Sequence, residues 1–247
     1  MSDRIFLKRP KNFLSFLRKL LLARWQSLLL LFFGMVLPLF IFEQLAVVIW
    51  QNQDFSWDDS ILLAIHQTAT PELDRFVSWF TQLGVYRGVV PAVIAISIGL
   101  LYGRRWRSLA FLLTTTLGSA VINRVAKALL HRIRPSLWNS VSPELDYGFP
   151  SGHAMSSMSF VAALVILTWG TRWCWLVLLS GGLFVGAIGW SRLYLGVHFP
   201  SDVLAGWMVS LAWAIGVSLV IRPHLIKPSL VSEQALTVSE EKAVETK

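Results

Sequence analysis

Apolar runs close to the twenty or so residues that cross a bilayer core of roughly 30 Å recur along this 247-residue chain, separated by short polar links. The pattern predicts six spans, at roughly residues 27–50, 86–103, 107–130, 152–171, 173–195 and 202–221. Between the first two lies a less apolar stretch, QNQDFSWDDSILLAIHQTATPELDRFVSWFTQLG. Its apolar residues Ile61, Leu62 and Ile65, then Leu73, Phe76, Val77 and Phe80, recur at helical spacing on either side of Pro71. That spacing predicts two short amphipathic helices lying at the membrane surface. The expected fold class is therefore all-α: a polytopic membrane protein with a six-transmembrane-helix bundle.

Composition agrees with the pattern. The chain is 55% apolar and only 15% charged, far from a soluble average. Its twelve Trp residues suit a protein with two membrane–water interfaces, where indole rings concentrate. The formal charge of +8 does not point to nucleic acid, because seven Lys and Arg fall in the first 24 residues, before any span. There they read as a topology signal with attraction to anionic headgroups. The first apolar run is too long for a signal-peptide core and lacks a small-residue cleavage site, so it reads as an uncleaved span. A single cysteine, Cys174, excludes an intrachain disulfide, and no Cys/His set has zinc-like spacing. Three regions follow: a basic segment 1–26, a six-span domain 27–222, and a polar tail 223–247 with a disordered composition.

Basic residues also set the orientation. With six spans, both termini, GRRWR at 103–107 and Arg172 share one side. The positive-inside bias makes that side cytoplasmic, with the chain in the inner (plasma) membrane. Three short segments then face the opposite compartment, and they hold nearly all the charged and imidazole groups near the membrane core.

The first is KALLHRIRP, residues 127–135. Lys127 and Arg134 are seven apart, which on a helix puts them on one face, and Pro135 ends the helix. The second is FPSGH, residues 149–153. Ser151 as a cap would leave the first amides of the next span unpaired, a ready anion site, with Gly152 permitting close approach and His153 in the first turn. The third is SRLYLGVHFPSD, residues 191–202. Arg192 is suited to gripping a phosphoryl group. Asp202 can accept His198 Nδ1–H and leave Nε2 as a nucleophile. Singly, these read equally well as a basic collar, a capped helix start and an interfacial His. Together they put three cations, two imidazoles and a carboxylate on one membrane face, where ionisable groups are costly and mark function. His131 reads as interfacial, His66 as part of the amphipathic stretch, His224 as part of the cytoplasmic end, and Gly182 and Gly186 as a helix-packing pair.

K-x6-RP, PSGH and SR-x5-H-x3-D, in that order, resemble the three-part signature of the type 2 phosphatidic acid phosphatase (PAP2) superfamily. The resemblance covers about residues 54–221. It implies that His198 attacks phosphorus, that Asp202 orients it, and that His153 protonates the leaving oxygen and later activates water. It implies that Lys127, Arg134, Arg192, the Ser151 side chain and the Gly152 amide hold the phosphoryl oxygens, with no metal and no cofactor. The expected substrate is a lipid phosphate or diphosphate monoester in the outer leaflet: phosphatidic acid, phosphatidylglycerophosphate or undecaprenyl diphosphate. Two other readings share the signature or the cation cluster. One is a vanadium-dependent haloperoxidase, against which the six spans argue. The other is a non-catalytic lipid-binding membrane protein, for which a nucleophile with its orienting acid has no use.

Overall fold

Helices make up the regular structure in the computed structural model, which describes Trp25 and residues 28–223. The basic N-terminal segment, the polar tail and His224 lie outside the described residues, apart from Trp25 and Pro223. The helices are α1 (Leu28–Trp50), α2 (Ser56–His66), α3 (Pro71–Phe80), α4 (Val89–Tyr102), α5 (Trp106–Leu130), α6 (Gly152–Leu167), α7 (Trp173–Tyr194) and α8 (Pro200–Ile221). α1 contains a π-helical turn at Phe32–Val36. A 3₁₀ turn, Thr81–Gly84, follows α3. No strand occurs among the described residues.

α1, α5, α7 and α8 are each long and apolar enough to cross a membrane, as is the run Pro71–Tyr102 that joins α3 to α4. α6 has 16 residues, about 24 Å at helical rise. It packs against α5, α7 and α8 and is the most enclosed of the long helices, while α1 packs on α8. This is a multi-pass helical membrane protein. Exposed Trp25, Trp106, Trp169 and Trp173 mark one end of the bundle, and exposed Trp50, Trp57 and Trp79 the other.

Within lipid, helices gain little from hiding apolar side chains from one another, so close packing and shared hydrogen bonds hold them together. Phe111 and Leu112 of α5, Ala163 of α6 and Val217 of α8 form one such contact. Deeper in the bundle, Ser159 of α6 donates to Ser119 of α5 at 2.7 Å, and Ser119 lies 3.5 Å from Ser210 of α8. Gly206 brings α8 close to the start of α6: a Cβ there would stand 3.0 Å from Ser151 O.

The helix-packing pair expected at Gly182 and Gly186 is corrected by the structure. A Cβ at either position meets nothing within 4 Å, whereas at Gly181 it would collide with Val161 and at Gly189 with Trp207. The packing face of α7 is rotated from the one the G-x3-G spacing suggests, because its neighbours α6 and α8 set which side faces inward.

Topology places the chemistry at one end. α5 and α7 finish there and α6 and α8 begin there, so the loop 131–150 and the link 195–199 meet above the bundle. At the same end, Val77 of α3 packs against Tyr194, Leu195 and Val197. Leu45 and Ile49 of α1 enclose Phe149 and Ala205.

Candidate active site

α5 ends at Leu130 because His131 turns left-handed, with φ of 45°, and its N–H bonds back to Lys127 O. Lys127 and Arg134 therefore do not share a helix face, as their spacing had suggested. They meet all the same, because the loop after His131 doubles back. Arg134 donates through Nε to Asp146 O at 2.7 Å and through Nη1 to Val197 O at 2.7 Å. Lys127 Nζ lies 2.5 Å from Asp146 Oδ2, and Arg134 Nη2 bonds Asp146 Oδ1.

Arg134 also reaches the imidazole of His198, with Nη1 3.0 Å from Nε2. A guanidinium can only donate, so Nε2 carries the lone pair and Nδ1 the proton. His198 is fully buried, and its Nδ1 has no hydrogen-bond partner; Asp202 Oδ2 stands 3.5 Å away. Burial first, then the charges of Arg134, Arg192 and Lys127, holds the His198 imidazole well below the ordinary histidine value. At neutral pH it is uncharged.

Asp202 sits in the first turn of α8 behind that ring. Its Oδ2 accepts the Phe199 N–H at 2.8 Å, and its Oδ1 accepts from Arg132 Nη1 at 2.5 Å. Arg132, buried under the Phe199 ring, uses its other nitrogen to reach Asp58 Oδ2 at 2.8 Å. Asp58 comes from α2 and accepts from Ser201 N–H at 3.0 Å and from the Ser201 hydroxyl. One guanidinium thus ties the loop, α2 and the start of α8 into a single buried network.

On the opposite wall, Ser151 caps α6 and Gly152 opens it. The Ser151 N–H is engaged by Asp202 O at 3.1 Å, so this amide holds α6 to α8 and is not free for an anion. Its hydroxyl is buried and unpartnered, and the Gly152 amide, in the first helical turn, has no intrahelical acceptor. Asn123 steadies this turn by donating to Pro150 O at 2.9 Å. A Cβ at Gly152 would press on Asn123 Oδ1 at 3.3 Å, and one at Gly84 would touch the His153 ring at 3.5 Å.

Arg192, 1% exposed, donates to Thr81 Oγ1 at 3.0 Å and to Glu144 Oε1. Glu144 Oε2 pairs with Arg134 Nη2 at 2.6 Å. The same carboxylate is 3.9 Å from His153 Nδ1 and 3.9 Å from His198 Nε2. A loop carboxylate therefore lies at the point where two guanidiniums and two imidazoles converge. Burial pushes the Asp146 carboxyl up, but hydrogen bonds from Lys127 and Arg134 outweigh it and hold the group below its usual range. All eight residues singled out in the sequence come to this one end: Lys127, Arg134, Ser151, Gly152, His153, Arg192, His198 and Asp202. Glu144, Asp146, Asp58 and the buried role of Arg132 were missed. Their only sequence signal is acidic residues beside the basic motif and in the stretch before span two.

A bundle of apolar helices that gathers cations and paired imidazoles at one end defines a class: multi-pass membrane proteins with a cation-rich polar site at one end of the helices. The chain belongs to the PAP2 superfamily, whose profile matches residues 108–225. It is 31% identical over 173 residues to phosphatidylglycerophosphatase B of Bacillus subtilis, covering 68% of this chain and 84% of that one. It is 28% identical to an undecaprenyl-diphosphatase of Sulfolobus acidocaldarius, covering 69% and 80%. It is 30% identical to a lipid A 4'-phosphatase of Bacteroides thetaiotaomicron, covering 62% and 71%. Its fold matches the crystal structure of a transmembrane PAP2-type phosphatidylglycerolphosphate phosphatase from Bacillus subtilis with a TM-score of 0.69 and 28% identity. That match covers 80% of this chain and 99% of the other.

The Arg132 network generates a stability prediction. Arg132→Ala leaves Asp58 and Asp202 buried without their shared cation, at a cost of about 3–5 kcal/mol. Unfolding of purified protein in detergent should show that loss. Arg132→Lys should recover little, since one ammonium cannot reproduce the fork that bridges two carboxylates.

Proposed function

We propose that this chain, a lipid phosphatase of the PAP2 superfamily, hydrolyses a phosphate or diphosphate monoester of a membrane lipid through a phosphohistidine at His198. The observation that carries this reading is the position of the Glu144 carboxylate. It touches Arg134 and Arg192 and lies 3.9 Å from a ring nitrogen of each histidine. A carboxylate is an anion with planar oxygens, so it stands in for part of a phosphoryl group. Substrate takes its place.

The geometry supports the following steps. Arg134, Arg192 and Lys127 hold the non-bridging oxygens, with the Ser151 hydroxyl and the Gly152 amide completing the cradle. The Nε2 lone pair of His198 attacks phosphorus, and the bond to the lipid-side oxygen breaks. His153 gives that oxygen a proton. A water then enters, His153 takes its proton, and the phosphorus–nitrogen bond breaks to release phosphate. The network behind His198 has two buried carboxylates, Asp58 and Asp202, for one guanidinium, Arg132. A positive charge developing on His198 is therefore met by a surplus carboxylate at its back. Three protein cations supply the electrostatic stabilisation that magnesium gives in many phosphotransferases, so the reaction is metal-independent.

The bilayer arrangement fits this chemistry. α6, fourth of the apolar helices in chain order, brings the crossings to six and is short because it starts below the loop 131–150, and α2 and α3 lie at the surface on the same side. Both termini are cytoplasmic and the site faces the other compartment. The named relatives act on phosphatidylglycerophosphate, undecaprenyl diphosphate and lipid A, which supports a substrate among lipids with a terminal phosphate.

Phosphate release from phosphatidic acid, phosphatidylglycerophosphate and undecaprenyl diphosphate tests the reading. His198→Ala should lower turnover by on the order of 10³-fold or more, and His153→Ala by roughly 10²–10⁴-fold. Activity should survive EDTA. Near-normal turnover in His198→Ala removes the nucleophile assignment, and loss on chelation restored by magnesium removes the metal-free mechanism. His198 must be neutral to attack, and its pKa is lowered from 6.5. The acid limb of kcat/KM should therefore fall below pH 6.5, with activity held as the pH drops through that value and lost only further down. An acid limb centred above 6.5 contradicts the assignment.

A further inference from the structure

A cavity of about 1080 Å³ runs beside the site between α4, α5 and α6. At one end its wall includes Lys127, Glu144 and His153; at the other it reaches Leu101 and Leu109. The cavity thus descends from the phosphate pocket almost the whole length of α5. Beyond its polar end the lining is almost entirely apolar, with Ile94, Ile98 and Leu117 among the exposed large side chains. That profile suits a lipid chain attached to a phosphorylated head.

Arg124 interrupts the apolar part. It lines the same cavity, three residues before Lys127 on α5. Three residues along a helix place it on the same face, about 4.5 Å further from the helix end. Its side chain is exposed, and it makes no hydrogen bond or ion pair with any described residue. The other cations around the site are all neutralised: Lys127 by Asp146, Arg134 by Glu144 and Asp146, Arg192 by Glu144, Arg132 by Asp58 and Asp202. A guanidinium within a membrane-crossing helix and without a carboxylate is costly, and such residues mark ligand paths. Extending toward water would only move its head up the cavity, nearer Lys127 and His153.

We propose that Arg124 binds a second phosphoryl group of the substrate, the one joining the scissile phosphate to the lipid. The preferred substrates are then lipids with two phosphates in series, rather than simple phosphate monoesters. The order along the cavity matches that chemistry: His198 and His153 at the terminal phosphate, Arg124 at the inner one, and the apolar wall around the chain. A prenyl diphosphate and a phosphatidylglycerophosphate both have this layout. Phosphatidic acid has no second phosphate for Arg124 to meet.

This inference rests on the lipid phosphatase reading, and one experiment separates the two. Full-length protein in detergent is assayed on farnesyl diphosphate, phosphatidylglycerophosphate and phosphatidic acid, as wild type, Arg124→Gln, Arg124→Lys and His198→Ala. The readout is the ratio of kcat/KM on each doubly phosphorylated lipid to that on phosphatidic acid. Losing a charge-assisted contact should lower that ratio roughly tenfold or more in Arg124→Gln, mainly through KM. Arg124→Lys should recover most of it. A fall on only one of the two doubly phosphorylated lipids supports the proposal and identifies the source of the inner phosphate. An unchanged ratio overturns it, whether activity holds on all three lipids or drops equally on all. The parent reading fails separately, if His198→Ala matches wild type on every lipid.

Discussion

One buried guanidinium holds the catalytic end of this protein together. Arg132 is 6% exposed and bridges Asp58 to Asp202, which are 1% and 0% exposed. A single unpaired charge at that depth would cost several kcal/mol, so the three groups are fixed relative to one another. Each comes from a different part of the chain: the loop after α5, the short helix α2, and the start of α8. Asp202 can stand behind His198 only because Arg132 and the Phe199 amide hold its carboxylate in place.

The same electrostatic demand shapes the outer wall of the pocket. Lys127, Arg134 and Arg192 are crowded together, and their mutual repulsion needs anions. Glu144 and Asp146 supply them from the 21 residues between α5 and α6. A loop this long without regular structure is uncommon unless it serves a function. Here it closes the cation cluster with the carboxylates of Glu144 and Asp146.

The site lies where α5 and α7 end and α6 and α8 begin, and the cavity alongside runs between α4, α5 and α6. Short α6 is central to this arrangement, because its N-terminus meets the loop 131–150. Its Ser159 and the neighbouring Ser119 and Ser210 join the central helices at mid-depth by hydroxyl contacts instead of bulk.

Much of this was legible in the chain itself, and the reason is membrane physics. Lipid leaves a spanning segment no option but to satisfy its backbone internally, so apolar length alone identifies helices and places their ends within a few residues. Six of the long helices follow the runs read from the sequence, and every motif residue arrives at the same end because helix count fixes which ends are neighbours. What the sequence could not settle was anything depending on which side chain meets which. A helical repeat put Lys127 and Arg134 on one face; a left-handed His131 separated them, and a loop reunited them through Asp146. A G-x3-G spacing suggested the wrong packing face of α7. That the Ser151 N–H is bound to Asp202 O could not be read from the motif. Asp58 and Glu144 carry no local signal, since an acidic residue in a polar link looks solvated until a partner far along the chain folds against it. Burial and pairing of charges are properties of the whole bundle, and only the tertiary structure decides them.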